Sequence, residues 1–329
     1  MTSGNSDQLV IGMDVGGTGL KAAVINQQGS VLIKEHRPTL RERGPEAVVE
    51  SILDFTDDLA KKSQDPLSGN RVAAAGVAVP GLIDEKTGVA LVSVNLEWKD
   101  VPLRRLLEER LGVPAVVGHD VRTAGIAEGL LGAARGSKDY LFLTLGTGIG
   151  AAVVLHGFAY MGAHNVGGEF GHMVVQPGGP LCGCGRRGCI EVLASASAVV
   201  RRYRSMAQTP AEITARDVAE RMAAGDPVAR EVWGEAIEAL SMGIANYITL
   251  LDPERVVIGG GLADAGKVLF EPLITQLTRE VTLQPLPPVL PAALGNDAGY
   301  LGAALKAWLA LGVPQSELAW PRMESSTIN

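Results

Sequence analysis

Residues 8–26 read QLVIGMDVGGTGLKAAVIN, and residues 139–157 read DYLFLTLGTGIGAAVVLHG. Each is a short apolar run, a Gly-Thr-Gly turn and a second apolar run, the pattern of strand, tight turn and strand. Gly17-Thr18-Gly19 and Gly146-Thr147-Gly148 fall at similar depth in the two stretches. We read a duplicated hairpin module, one per domain, facing a shared cleft. Independent origin of two glycine-rich hairpins is the alternative. At 329 residues the chain has room for two domains of ordinary size.

Between and beyond the two hairpins the chain alternates strand and helix signals. After a third strand at VLIKEH, the segment GPEAVVESILDFTDDLAKK places Val48, Ile52, Phe55 and Leu59 on one helical face. RVAAAGVAVPG reads as a buried strand stopped by Pro80 and Gly81, and VPLRRLLEERLG as a helix ended by Gly112. VPAVVGHD is a further buried strand, with VRTAGIAEGLLG as the helix after it. The later chain predicts a long helix over VAREVWGEAIEALSMGIANYITLL and a strand at RVVIGGGL. It continues with a helix near AGKVLFEPLITQLTRE, a short strand near PVLPAAL and a closing helix AGYLGAALKAWLAL. The tail PQSELAWPRMESSTIN has little periodicity and is expected to be loose. Two α/β lobes around a cleft are the expected architecture.

Bulk properties exclude several classes. Hydrophobic residues make up 47%, which supports a large core. A net charge of −7 argues against a broad grip on nucleic acid or an anionic membrane. The polar start MTSGNSDQ matches neither a secretory signal nor a transit peptide, and no apolar run is long enough to span a bilayer. Three clustered cysteines make a poor disulfide framework, so a reduced, cytoplasmic protein is expected.

The glycine turns offer backbone N–H groups without side-chain obstruction, a cradle for phosphate oxygens. Asp14 precedes the first turn, and Thr18 adds a hydroxyl. Neither turn has Walker spacing. A third cluster, Gly259-Gly260-Gly261, ends a buried strand, where open α/β sheets place ligands. His119-Asp120 also closes a strand. Asp120 is there either a general base for an attacking hydroxyl or a cap for the following helix.

Residues 172–189, HMVVQPGGPLCGCGRRGC, hold all three cysteines. His172, Cys182, Cys184 and Cys189 are the donor set of a closed tetrahedral zinc site, with glycines letting the loop fold around the ion. The rival is a reactive or incidental thiol group. Glu169 and Glu191 flank the cluster, as acceptors for sugar hydroxyls or as solvated loop residues. A zinc-bound histidine keeps a second ring nitrogen for another partner.

Taken together, GGEFGH with CGCGRRGCIE, and DVGGTG, VAVPG, VNLEW, LGTGIG, IGGGL and GNDAGYLGAA in that order, resemble the ROK family, in particular its bacterial sugar kinases. The resemblance runs from about Leu9 to about Leu309. It implies the α/β actin-like ATPase fold, ribonuclease-H-like and of hexokinase type, with two lobes closing on sugar and ATP. The smaller lobe would be residues 1–120 plus 302–329, and the larger 121–301. Asp14, Gly16, Gly17 and Thr18 would then line the phosphate and Mg²⁺ side. Gly146, Thr147 and Gly148 would hold phosphates, and Gly260 and Gly261 would lie near the adenosine. Gly81, Asn95, His119, Asp120, Glu169, His172 and Glu191 would contact the sugar, with Asp120 as the base. His172 would serve both zinc and sugar.

Two residues depart from the family pattern. His119 stands where the family usually has Asn, which alters reach and donor pattern toward the sugar. Gly19 stands where the family often has Lys. The expectation is a cytoplasmic, homodimeric ATP-dependent hexose kinase acting on the 6-hydroxyl, with Mg²⁺ and a structural Zn²⁺. Glucose is the first substrate and N-acetylglucosamine, or another amino-sugar or hexose, the alternative. A sugar-sensing transcriptional repressor is the rival class. It would need a helix-turn-helix ahead of the first hairpin, which starts within about ten residues of Met1.

Overall fold

The computed structural model describes residues 8–64, 70–210, 212–318 and 320. By their internal contacts these divide into two compact units. One runs up to Leu131 and includes 163–165 and the chain from Asn296; the other is Gly132–Gly162 with Val166–Gly295. The polar stretch 1–7 and most of the tail after Leu318 lie outside the described residues.

In the first unit the opening hairpin forms as expected, as β1 (Gln8–Val15) and β2 (Gly19–Asn26), followed by β3 (Val31–Pro38). Helix α1 (Pro45–Ser63) starts with proline at its first position, where the missing N–H costs nothing. Its Val48, Ile52, Phe55 and Leu59 are fully buried. Strand β4 (Arg71–Val79) follows, buried on both faces as a central parallel strand must be. Next come β5 (Leu82–Asp84), β6 (Val89–Ser93) and β7 (Trp98–Val101), then α2 (Leu103–Leu111), β8 (Ala115–His119) and α3 (Asp120–Leu131). Gly112 ends α2 at φ 67°, the left-handed conformation that glycine adopts without strain.

The main sheet of this unit has the order β3-β2-β1-β4-β8. β1 pairs antiparallel with β2 and parallel with β4, and β4 runs parallel to β8. The antiparallel sheet β5-β6-β7 was not expected from sequence. It is secured by Trp98, 3% exposed, whose indole N–H donates to the Pro45 carbonyl at 3.1 Å.

The second unit holds β9 (Tyr140–Leu145), β10 (Ile149–Leu155) and β11 (Phe158–Ala159), then α4 (Ile190–Ala194), α5 (Ala196–Met206), α6 (Ala215–Ala223) and α7 (Pro227–Leu251). β12 (Arg255–Gly259), α8 (Lys267–Glu280) and β13 (Val289–Pro291) complete it. The sheet order is β11-β10-β9-β12-β13, with β9 antiparallel to β10 and β12 parallel to both β9 and β13. The two sheets therefore share strand order and direction, so the repeat seen in the sequence is a repeat of topology.

Helix α9 (Ala298–Ala310) returns to the first unit and packs on β1, β4 and α3. The approach is close enough to demand glycine beneath it. A Cβ at Gly76 would lie 1.9 Å from the Ala303 carbonyl oxygen, and one at Gly12 would lie 2.2 Å from that of Tyr300. Through this packing α3 belongs to the first unit, which extends past residue 120 to Leu131.

Candidate active site

Parallel pairing sets the first half of the site. In register, Asp14 lies beside Ala78 and Val79 beside His119. The carboxyl ends of β1, β4 and β8 thus share one edge, the place where open α/β sheets bind ligands. Asp14, the turn after β4 and the His119-Asp120 junction all occur there.

The first glycine turn closes through Gly16 N–H, which donates to the Gly19 carbonyl at 2.9 Å. It is braced by Thr39, whose hydroxyl donates to the Gly16 carbonyl at 2.7 Å and whose N–H donates to that of Thr18 at 3.3 Å. Gly17 and Thr18 remain exposed and help line a cavity of about 670 Å³ with Arg41 and Glu97. A Cβ at Gly19 would lie 2.3 Å from Nε2 of the exposed His36, whose ring would have to swing aside for any side chain there. Burial pushes the Asp14 carboxyl up to about 7, and the negative charge of Asp120 adds to the rise while Lys21 opposes it.

Gly81 is fixed by backbone shape. Its φ is +115°, and a Cβ would lie 2.3 Å from the Val92 carbonyl oxygen. Asn95 is exposed in the connection between β6 and β7.

Asp120 is the first residue of α3, and its Oδ1 accepts the N–H of Val121 at 2.7 Å. It therefore stands inside the helix's first turn rather than ahead of it. His119 Nδ1 lies 3.3 Å from the same carboxylate oxygen and 3.4 Å from the Arg122 N–H. Behind this junction is an ion cluster, Glu85 with Arg122 and Lys306, that sequence reading missed. The three positions are far apart in the chain, and each looks like a surface charge until α3, α9 and β5 are assembled.

The second unit repeats the turn. Gly146 N–H donates to the Gly148 carbonyl at 3.0 Å. Ser197 Oγ donates to the Thr147 carbonyl at 2.8 Å, and Thr147, Ser197, Arg201 and Arg204 line a cavity of about 570 Å³. Glu191 braces the turn from within, its Oε2 accepting the Ile149 N–H at 2.9 Å. One of its oxygens is thus committed to backbone. Gly260, at φ +85°, lets the end of β12 lie against that of β9, where a Cβ would sit 2.6 Å from Leu145 N; Gly261 is open.

His172, Cys182, Cys184 and Cys189 converge, all four donor atoms lying within 4.8 Å of one another. Cys182 Sγ is 3.6 Å from His172 Nδ1, and Cys184 Sγ is 3.7 Å from Cys189 Sγ. A tetrahedral zinc with ordinary Zn–S and Zn–N bonds has edges of about 3.8 Å between sulfurs and about 3.6 Å between sulfur and nitrogen. The donor set fits that ion in both chemistry and size. The Arg186 backbone N–H holds the Cys184 thiol down to about 6, whereas burial pushes Cys189 up to about 12. The Arg186 guanidinium donates to the His172 carbonyl, tying the loop across the cluster. His172 turns Nδ1 toward the cysteines and Nε2 toward exposed Glu169, whose Oε2 is 3.9 Å away.

These features recur in known proteins. Residues 10–310 match the model of the ROK family. The chain is 36% identical to a glucokinase of Thermotoga maritima over 319 residues, covering 90% of this chain and 96% of that one. Among solved structures it resembles a ROK hexokinase from Thermus thermophilus, with a TM-score of 0.81 and 37% identity over 93% of this chain and 100% of the other. It also resembles a ROK family glucokinase from Streptomyces griseus solved with glucose and AMPPNP, with a TM-score of 0.77 and 32% identity over 92% and 99% of the two chains. The paired sheets are those of the actin-like ATPase fold. With the family match spanning nearly the whole length and the zinc-type cluster and both glycine turns in place, the chain belongs to the ROK family.

Proposed function

We propose that the protein is an ATP-dependent hexose kinase that phosphorylates the 6-hydroxyl of glucose. The observation that carries this reading is the Asp120 carboxylate at the end of β8, electrostatically coupled to Asp14 at the end of β1 and sharing an edge with the first glycine turn. That edge holds what phosphoryl transfer needs on the acceptor side: a base for the hydroxyl proton, beside a cradle for phosphate oxygens. The likeness to glucokinases supports the same substrate.

In this reading Asp120 accepts the proton of the 6-hydroxyl as it attacks the γ-phosphorus. Gly16 and Gly146 close their turns through their own N–H groups, leaving the N–H groups of Gly17 and Thr18, and those of Thr147 and Gly148, as the donors for phosphate oxygens. Gly260 and Gly261 leave room for the adenosine. Asn95, His119, Glu169, His172 and Glu191 orient the sugar, and Gly81 shapes the hairpin from which Asn95 extends. Mg²⁺, when bound, neutralises charge on the phosphates, and Asp14 fits it as a carboxylate whose repulsion from Asp120 a cation relieves. His172, Cys182, Cys184 and Cys189 hold a structural Zn²⁺ that fixes the ring of His172. A cytoplasmic location rests on the reduced cysteine cluster, and a homodimer on the family resemblance alone.

The test is Asp120→Asn in a coupled ADP-release assay. Turnover falls by about 10²–10⁴-fold while glucose binding by calorimetry persists. Full activity in this variant removes Asp120 from the role of base. His119, in place of the usual Asn, favours N-acetylglucosamine as the second reading. The same assay over glucose, N-acetylglucosamine, mannose and fructose decides between them by kcat/KM.

A further inference from the structure

Directly behind the proposed base lies a set of charges that the mechanism above does not use. Glu85 sits just past β5, its side chain 14% exposed. Its carboxylate accepts from three directions: Oε1 takes the Arg122 Nε at 3.1 Å and the His119 backbone N–H at 3.3 Å, and Oε2 takes the Lys306 ammonium. Arg122 is 3% exposed and reaches the other way too, its Nη1 donating to the Asn165 carbonyl at 3.3 Å. Asn165, at φ 61°, lies in the loop that leads on to Glu169.

We propose that Glu85 is a positioning residue for the phosphoryl acceptor step, holding the β8–α3 junction that carries His119 and Asp120. The proposal rests on the kinase reading and adds a residue to it. Three elements meet on this carboxylate: the junction itself through His119 N–H, the first turn of α3 through Arg122, its third residue, and α9 through Lys306. Their charges sum to one net positive, and both cations reach this one carboxylate, Arg122 from an almost fully enclosed position. Lys306 and Arg122 together outweigh the effect of burial and keep the Glu85 carboxyl below the usual carboxylate range. Because a buried cation without its partner is costly, the cluster resists displacement of any one member. It therefore locks the rotation of the first turn of α3, on which Asp120 stands.

Geometry of this kind controls rate more than binding, since misplacing a base by about 1 Å costs on the order of a hundredfold in turnover. In the ADP-release assay Glu85→Gln lowers kcat by roughly a hundredfold while KM for ATP changes less than about threefold. Loss of the fold would also lower kcat, so the double variant Glu85→Gln/Lys306→Met is measured beside it. Removing one stranded cation with its counter-ion restores the melting temperature toward the wild-type value, and kcat stays low. If kcat recovers with the melting temperature, or if Glu85→Gln keeps wild-type kcat, the positioning role is wrong.

Amide hydrogen exchange gives a readout independent of turnover: exchange at His119 and Val121 quickens in Glu85→Gln and in the double variant alike. Unchanged exchange at both amides overturns the proposal even if the wild type phosphorylates no hexose. That last result would instead sink the kinase reading.

Discussion

Asp14 shows how one residue can carry a function at a cost to the fold. Its carboxyl would lose its proton near 3.8 in the unfolded chain, but burial and the charge of Asp120 raise it to about 7 in the folded one. Between those values the unfolded state binds fewer protons than the folded state, so stability falls as pH rises and levels off above about 7. Asp14→Asn cannot ionise and escapes the penalty. Calorimetric melting is therefore expected to place the variant above the wild type at pH 8, with the gap closing toward pH 4. A variant less stable than the wild type at pH 8 would mean that the carboxylate is stabilised in the folded chain. The identity and place of Asp14 were legible in DVGGTG. Its protonation was not, because that depends first on burial and then on the charge of Asp120, brought near by the pairing of β1 with β4 and β4 with β8.

At the scale of elements, legibility followed the strength of the local signal. The hairpins β1–β2 and β9–β10 announced themselves by apolar runs around glycine turns, and α1 and α7 by their periodic apolar faces. The sheet β5-β6-β7 did not, since its strands are three to five residues long with mixed burial. Helices α5 and α6 were missed for a related reason: arginines crowd the first, and the second is short and held by a capping box of Thr214 and Asp217.

The cysteine loop was legible because donor type and spacing are themselves the signal. It is a small element built by two bridges, Val174 with Cys189 and Leu181 with Arg187, and by Gly188, where a Cβ would lie 1.7 Å from the Gln176 carbonyl oxygen. If zinc fixes His172 for the sugar, Cys184→Ser loosens the metal and raises the sugar KM together, by about tenfold. Atomic absorption on the dialysed protein and steady-state kinetics on the same preparation measure both. Zinc loss with an unchanged KM would reduce the loop to scaffolding.

For the whole molecule, the chain builds its first unit, leaves to build the second, and returns to complete the first with α9. That helix lies on β1 and β4 through Gly12 and Gly76, and on α3 through Gly302, where a Cβ would sit 2.2 Å from the Thr123 carbonyl oxygen. Nearly all of its residues are buried, among them Tyr300, Leu301, Leu305 and Trp308. Burying an apolar side chain of this size stabilises by about 1.5–3 kcal/mol, so the helix contributes gross burial energy of the same order as the net stability of an ordinary domain.

The second unit has a different core, centred on Leu141, Leu143, Leu240, Ile244, Val256 and Ile258, and α9 contributes nothing to it. A chain ending at Gly295 should consequently lose hydrogen-exchange protection in β1, β4 and α3 and keep it in β9, β12 and α7. Kinase activity should vanish, because Asp14 and Asp120 stand on the elements that open. Loss of protection in both units at once would show that they fold as a single cooperative body, and protection kept in β1 and β4 would show that the first sheet holds without its closing helix.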